Sequence, residues 1–252
     1  MKPHLILVHG MWSQGNIWDD WLPALRAAGF EATAPDLPGH GPGQPDSALA
    51  GLGLAEYGEA VLAEVRRHPR PVLIGHSMGG LISQQVAARA ELAGLVLISS
   101  AVPSPLFPLR LVTLPGTLRA FSDPLLWRKS LRLTPWEANY LLFNRVPEAD
   151  RADRYARLVA ESGRAAYQVA FGPLNLAGSN RVDKAAVTCP ILSLAGSHDR
   201  IVPAAAGRRM AAWYGGAARL DHREYPEHAH MMMQEPDGDA RVADIIDWLE
   251  AL

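Results

Sequence analysis

Short apolar runs alternate with longer helical patterns along most of this chain. Each run is followed by glycine, histidine or serine, and the runs lie at residues 5–8, 72–74, 95–98 and 191–195. Uninterrupted apolar runs of this length are typical of strands that a parallel sheet buries on both faces. Apolar residues with helical spacing occupy segments between and after the runs, at residues 17–28, 54–67, 81–90, 204–214 and 240–252. The alternation predicts an α/β protein with a mostly parallel sheet and helices on both of its faces.

One long stretch, residues 102–187, does not follow this alternation. It is rich in proline, leucine and aromatic residues, and its periodicity is helical where it has any. A chain of 252 residues is long enough for one α/β domain with an insertion. We therefore expect a core domain formed by residues 1–101 and 188–252, with residues 102–187 inserted as a helical cap, or lid, over the carboxyl edge of the sheet. The alternative is a second structural lobe unrelated to any site.

A serine stands at the end of one apolar run, between two glycines. Residues 71–80 read PVLIGHSMGG, so Ser77 lies two residues from both Gly75 and Gly79 and directly before a helical pattern. A serine hydroxyl reacts only where a base and an anion-stabilising group can both reach it, and a tight strand-to-helix turn exposes it in this way. Glycines permit the close packing that such a turn requires. A glycine-rich turn with an unreactive serine would show the same letters, so other motifs must decide.

A carboxylate and a histidine follow Ser77 in the order that a serine nucleophile requires. Asp199 comes just after the apolar run at 191–195, and His230 lies in a loop that follows a further strand-like segment. A histidine base takes the serine proton, and a carboxylate orients the imidazole and stabilises its charged form. Ligand sites of parallel sheets lie at the carboxyl ends of the strands, where these residues fall.

Five motifs occur in chain order, and they are His9-Gly10 after the first strand, DLPGHG at residues 36–41, the turn around Ser77, GSHDRIVP at residues 196–203, and His230 ahead of Gln234-Glu235-Pro236. With these motifs the chain resembles the α/β-hydrolase family over nearly its whole length outside the cap. The resemblance implies a sheet of about six strands, most or all parallel. It also implies that Ser77 is the nucleophile, His230 the base and Asp199 the orienting acid.

Two other interpretations of the histidines stay open at this point. His228 competes with His230, because the family's catalytic histidine usually follows a glycine and here Ala229 precedes His230. The pattern of His222, His228 and His230 is also compatible with a zinc site, although no cysteine or pair of carboxylates completes a ligand set. We favour His230 as the base and expect neither a metal nor a cofactor.

The negative charge that develops on the substrate oxygen requires two converging backbone N–H donors. We expect these from Met78, directly after the nucleophile at the start of a helix, and from Met11, after His9-Gly10. Plain core packing is the alternative for Trp12. The candidates for the lining of the substrate pocket are Trp12, His76, Phe107, Trp127, Trp136, Phe143 and Met231.

The predicted function is hydrolysis of carboxylic esters of small to medium hydrophobic substrates through an acyl-enzyme on Ser77. Hydrolysis of carbon–carbon, lactone or thioester bonds, and perhydrolysis, use the same triad and remain alternatives. Serine at position 77 disfavours family members that attack with aspartate. A ligand-binding receptor of this fold with little turnover is the alternative of another class.

The composition limits the binding partners and the cellular location that we expect for this protein. A net charge of −2 offers no basic field for nucleic acid, and no apolar stretch approaches the ~20 residues that a membrane span requires. The first apolar run begins almost at once, so we expect no export signal and a cytoplasmic monomer or homodimer with a small-molecule ester substrate. The single cysteine, Cys189, precedes Pro190 and an apolar run, which predicts a buried structural thiol.

Overall fold

The computed structural model of the chain describes residues 2–104, 106, 112–171, 178–215 and 219–252, with the backbone alone of residue 121. The strands of these residues are, in chain order, β1 (Leu5–Val8), β2 (Ala32–Thr33), β3 (Val72–His76), β4 (Gly94–Ile98), β5 (Ser130–Leu131), β6 (Glu161–Ser162), β7 (Ile191–Gly196) and β8 (Leu220–Tyr225). The α-helices are α1 (Leu22–Ala27), α2 (Leu54–Val65), α3 (Met78–Ala87), α4 (Leu114–Phe121), α5 (Pro135–Leu141), α6 (Glu148–Ala156), α7 (Gly163–Ala170), α8 (Ala204–Trp213) and α9 (Gly238–Glu250).

Six of the strands form one sheet in the order β2-β1-β3-β4-β7-β8, and all neighbours in it run parallel. This confirms the predicted fold class and the expected number of strands. Every residue of β1, β3, β4 and β7 is buried, which is why these strands read as uninterrupted apolar runs. The two-residue β2 left no such run in the sequence.

Side chains alternate between the two faces of the sheet, and each face has its own layer of helices. From β1, Leu5 and Leu7 belong to the apolar cluster that includes residues of α1 and α9. Ile6 and Val8 belong to the other cluster, with residues of α2, α3 and α8. The period-two alternation of a strand produces this division. Among the described helices, none combines the length and apolar character needed to cross a bilayer.

The first helix is shorter than its apolar spacing predicted. Residues 17–28 were expected to form one helix, but a 3-10 turn covers Gly15–Trp18 and α1 begins only at Leu22. Pro23 stands in the first turn of α1, where its missing N–H has no helical partner to lose. Further inside a helix, its ring would collide with the preceding turn, so a continuous helix through this point is disfavoured.

The segment between β4 and β7 contains α4 to α7, in agreement with its helical periodicity, and also the antiparallel pair β5 and β6. This two-stranded ribbon was not predicted, because two residues per strand leave no periodic pattern. Leu141, Phe143 and Ala166 from this segment are buried in the same cluster as Leu5 and Leu7. The division into core and cap at residues 102 and 187 stays a prediction.

Cys189 is buried just before β7, as its sequence context predicted. It packs within the apolar cluster that includes Ile6 and Val8. Burial raises the pKa of its thiol to about 11, so the thiolate is scarce near neutral pH. Cys189 therefore contributes to the packing of the core.

Candidate active site

Three loops meet at the carboxyl edge of the sheet. Ser77 directly follows β3, Asp199 follows β7, and His230 lies in the histidine loop, residues 226–231, that follows β8. Carboxyl ends of parallel strands share one edge, so residues far apart in sequence become neighbours there. The three side chains are buried, with exposed fractions of 7% for Ser77, 4% for Asp199 and 1% for His230.

The turn at Ser77 is strained in the way that its flanking glycines indicated. Ser77 has φ 52° and ψ −120°, a conformation that residues with a β-carbon rarely adopt. A β-carbon at Gly79 would overlap the carbonyl oxygens of Val8 and His9, and one at Gly75 would lie 2.6 Å from the carbonyl oxygen of Gly79. Both positions therefore require glycine for the helix to start so close to the strand.

A continuous hydrogen-bond chain joins the three residues. Nδ1 of His230 lies 2.8 Å from Oδ2 of Asp199, and Nε2 of His230 lies 3.0 Å from Oγ of Ser77. A carboxylate only accepts hydrogen bonds, so the proton of the neutral imidazole sits on Nδ1 and Nε2 accepts from the serine hydroxyl. The structure thus brings the three predicted residues together in the arrangement that activates a serine.

The choice between the two candidate bases follows from these contacts. Nδ1 of His228 lies 3.2 Å from Oε2 of Glu235, whereas His230 has both Ser77 and Asp199 within hydrogen-bond distance. The geometry therefore favours His230.

Asp199 is itself held firmly. Its Oδ1 accepts hydrogen bonds from the backbone N–H groups of Ile201 at 2.7 Å and Val202 at 2.8 Å, which leaves Oδ2 for His230. Backbone donors of this kind stabilise the charged carboxylate in a buried place. They also fix its orientation toward the imidazole.

His76 contacts the histidine loop from the end of β3. Its Nε2 donates a hydrogen bond to the backbone carbonyl oxygen of His230 at 2.9 Å, and the centroids of the two rings lie 4.8 Å apart. Burial, and next the proximity of His230, lower the pKa of His76 well below its usual value, so it stays neutral. His76 therefore supports the histidine loop, and its place in the pocket lining stays a prediction.

Three of the predicted lining residues, Trp12, Phe143 and Met231, are buried in one apolar cluster. Trp12 has φ 60°, and its indole Nε1 donates to the carbonyl oxygen of Leu131 at 3.1 Å. The N–H of Val159 donates to the carbonyl oxygen of Trp12 at 2.9 Å. Two hydrogen bonds of Trp12 therefore join the loop after β1 to the segment between β4 and β7.

The other predicted lining residues do not join this cluster. Trp127 is 46% exposed and Trp136 is 58% exposed, with ring contacts to Tyr167 and Tyr140 respectively. Such exposure argues against a place for these two side chains in an enclosed pocket. Their aromatic character suggested that place, but it does not determine the direction in which a side chain points. Phe107 lies outside the described residues.

The histidines that suggested a possible zinc site go to different partners. Nδ1 of His222 lies 3.1 Å from Oγ of Ser193 and its Nε2 lies 3.2 Å from Oε1 of Glu224, while His228 and His230 have the contacts given above. Within the described part of the chain, no three histidine, cysteine or acidic side chains lie together as metal ligands would.

Two buried carboxylates near the site were missed by the sequence analysis. Glu235 accepts from backbone N–H groups of the histidine loop, and its only sequence signal was its place in the Gln234-Glu235-Pro236 motif. Glu161, in β6, lies 3.1 Å from Nε2 of His40 and accepts from the Tyr57 hydroxyl at 2.8 Å. No sequence signal pairs Glu161 with residues so distant in the chain.

The comparisons with known proteins agree with the fold. The pyrethroid hydrolase of Sphingobium wenxiniae is 32% identical over 116 residues, which cover 44% of this chain and 41% of that protein. Esterase PIR7B of Oryza sativa subsp. japonica is 36% identical over 110 residues, 40% of each chain. Both matches thus span less than half of the relative. The magnesium-chelatase 30 kDa subunit of Rhodobacter capsulatus is 28% identical, covering 98% of this chain and 87% of that protein.

Solved structures share the whole fold. A pyrethroid hydrolase from Sphingobium faniae superimposes with a TM-score of 0.76 at 22% identity, covering 99% of this chain and 98% of that one. A methylesterase from Arabidopsis gives a TM-score of 0.73 at 16% identity, covering 99% and 100%. The family description "Alpha/beta hydrolase family" matches residues 5–245. This match covers nearly all of the chain and confirms the predicted resemblance. The chain belongs to the alpha/beta hydrolase family.

Proposed function

We propose that this protein hydrolyses carboxylic esters of small to medium hydrophobic substrates through an acyl-enzyme on Ser77. The observation that carries the proposal is the hydrogen-bond chain from the Ser77 hydroxyl through His230 to Asp199. A protein that only binds a ligand has no need of a base aligned on a nucleophile. Relatives named as a pyrethroid hydrolase, an esterase and a methylesterase support the ester bond as the target.

In the first half of the reaction, Oγ of Ser77 attacks the ester carbonyl carbon while Nε2 of His230 takes the hydroxyl proton. Asp199 stabilises the imidazolium that forms, since its Oδ2 already accepts from Nδ1. Nε2 then gives the proton to the oxygen of the departing alcohol. The acyl group remains on Ser77.

The oxygen of the tetrahedral intermediate carries the negative charge. Met78 is the first residue of α3, so its backbone N–H has no acceptor within the helix and lies at the positive end of the helix dipole. We assign this N–H and that of Met11, in the loop after β1, to the oxyanion. Each such donor contributes about 3 kcal/mol to lowering the barrier in serine hydrolases.

In the second half, water attacks the acyl carbon and gives its proton to Nε2 of His230. Ser77 recovers the proton as the carboxylic acid leaves, which restores the starting state. The residues predicted to line the pocket, Trp12, Phe143 and Met231, are apolar. Apolar side chains in that place would favour a hydrophobic substrate over a charged one.

The test is a steady-state assay with p-nitrophenyl esters from acetate to octanoate, comparing wild type with Ser77→Ala, His230→Ala and His228→Ala. We expect sustained turnover by wild type, a much smaller loss in the His228 variant, which lacks one contact to Glu235, and a loss of at least ~1000-fold in the other two. His228→Ala thus separates the two candidate bases. Turnover limited to one equivalent, or full activity in Ser77→Ala, would refute the proposal.

A further inference from the structure

Glu235 lies inside the protein against the histidine loop. Its side chain is 0% exposed. Oε2 accepts from the backbone N–H of Ala229 at 2.7 Å, and Oε1 accepts from the backbone N–H of Met231 at 3.0 Å. Nδ1 of His228 lies 3.2 Å from Oε2 and supplies a third contact. One carboxylate therefore holds the peptide groups on both sides of His230.

Hydrogen bonds from His76 and His198 also hold the histidine loop. His76 donates from Nε2 to the carbonyl oxygen of His230, and the N–H of His198 donates to the carbonyl oxygen of His228 at 2.9 Å. Residues 228–231 have no helix or strand bonds of their own. Their conformation therefore depends on these side-chain and loop contacts, and Glu235 supplies the N–H acceptors on both sides of His230.

From this arrangement we propose that Glu235 is a positioning residue for His230, and this inference rests on the proposed function. Without the carboxylate, two buried N–H groups would have no acceptor, which destabilises this conformation of the loop. The loop would relax toward water and carry the imidazole away from Ser77. A displacement of about 1 Å in a catalytic group lowers the rate on the order of 100-fold.

The geometry requires two acceptor oxygens on one side chain. A glutamine at position 235 has nearly the same shape but only one oxygen, and its NH₂ group would face a backbone N–H of Ala229 or Met231. Two donors cannot bond to each other. Glu235→Gln thus removes one loop contact without leaving a cavity.

The matched control is Glu227→Gln. Glu227 belongs to the same loop, its side chain is 79% exposed, and its partner is Arg145 at the surface. An exposed ion pair of this kind contributes little to stability. The two variants therefore differ in burial and in the loop contacts while the chemical change is the same.

We expect Glu235→Gln to lower kcat for p-nitrophenyl butyrate on the order of 100-fold, with KM nearly unchanged, and Glu227→Gln to behave as wild type. We also expect the downfield proton resonance of the hydrogen bond between Asp199 and Nδ1 of His230 to weaken or vanish in Glu235→Gln alone. A purely structural role would leave that resonance in place in the folded fraction.

Two results separate the possible failures. If Ser77→Ala is inactive while Glu235→Gln keeps kcat within about twofold of Glu227→Gln, the positioning role is overturned and the proposed function stands. Full activity in Ser77→Ala would overturn the proposed function itself. If Glu235→Gln does not fold, amide exchange in wild type decides. The N–H groups of Ala229 and Met231 should exchange as slowly as those of the neighbouring β8, and exchange as fast as that of an unprotected loop would overturn the role of Glu235.

Discussion

The Nε2 atom of His76 donates a hydrogen bond to the backbone carbonyl oxygen of His230, over 2.9 Å. His76 is the last residue of β3 and the neighbour of Ser77. The strand that precedes Ser77, the proposed nucleophile, is therefore joined directly to the loop that holds His230, the proposed base. This link is independent of the hydrogen bond between the Ser77 and His230 side chains.

Replacement of His76 by phenylalanine keeps a ring in place and removes the donor. The carbonyl oxygen of His230 would then be buried without its partner, which costs about 1–3 kcal/mol in the free energy of unfolding. We expect this loss in urea unfolding, together with a lower kcat on p-nitrophenyl esters. His68→Phe is the control, since His68 is only partly buried and stacks on His4. Equal stability of the His76 and His68 variants would contradict the prediction.

Trp12 connects the loop that carries Met11 to the β5–β6 ribbon, through its indole N–H to Leu131. Trp12→Phe keeps most of the apolar contact but leaves the Leu131 carbonyl oxygen without this donor. We expect a loss of about 1–3 kcal/mol in stability and a lower kcat, because the loop of the proposed oxyanion donor Met11 loses one of the two hydrogen bonds that join it to the segment between β4 and β7. Trp136→Phe makes the same change at a position that is 58% exposed and should alter neither quantity. If both variants had the same stability and the same kcat, the indole hydrogen bond of Trp12 would contribute to neither quantity.

The buried pair of His40 and Glu161 should make stability depend on pH on the alkaline side. Burial opposes the charge of His40, but the hydrogen bond and charge of Glu161 outweigh it and raise the pKa of His40. The pair's contribution is then fully present below the unfolded pKa of about 6.5 and is lost as pH rises through the folded value. In urea unfolding, wild type should lose stability over this interval and His40→Asn should lose less. If stability fell equally with rising pH in wild type and in His40→Asn, the prediction would be refuted.

His9 should make stability depend on pH in the opposite direction, with stability lost on the acid side. Its Nε2 accepts from the N–H of Leu37 at 3.0 Å, so the ring must stay neutral, and burial followed by the proximity of His40 lowers its pKa to about 3. The unfolded chain takes up this proton below about pH 6.5, so the free energy of unfolding falls by up to about 1.4 kcal/mol per pH unit as pH decreases.

His9→Asn should therefore show a shallower decline between about pH 6.5 and pH 5 than wild type. His68→Asn serves as the control, since it replaces a histidine that is less deeply buried. A decline as steep in His9→Asn as in wild type would mean that other groups cause it.

The sequence was sufficient to predict that Ser77 and Asp199 lie at the same edge of the sheet, because each follows a buried strand whose apolar run ends in a recognisable turn. The choice of His230 over His228 needed the family pattern. Two histidines two residues apart differ in what they reach only through the conformation of an irregular loop, and no periodicity encodes that conformation. The roles of Glu235 and Glu161 were hidden for a related reason, since their partners lie on other loops or in distant segments.

Differences between expectation and structure have physical causes too. Trp127 and Trp136 were expected to line the pocket because of their aromatic rings and are exposed, since the direction of a ring depends on how the helices of the predicted cap pack. Pro23 lies in the first turn of α1, so the helix begins at Leu22 although apolar spacing alone would have started it at residue 17. The β5–β6 ribbon is too short for any pattern, and its pairing depends on contacts between segments far apart in the chain.

The position of β8 has a consequence for the order in which properties are lost on heating. β8 is an edge strand of the sheet, is bonded to β7 alone, and every one of its residues is only partly buried. Edge strands of this kind open locally before the interior of a protein does. The loop that holds His230, the proposed base, follows this strand, whereas Ser77 follows the fully buried β3. Catalysis should therefore fail some degrees before the tryptophan fluorescence of the core changes, with the nucleophile still in its folded place.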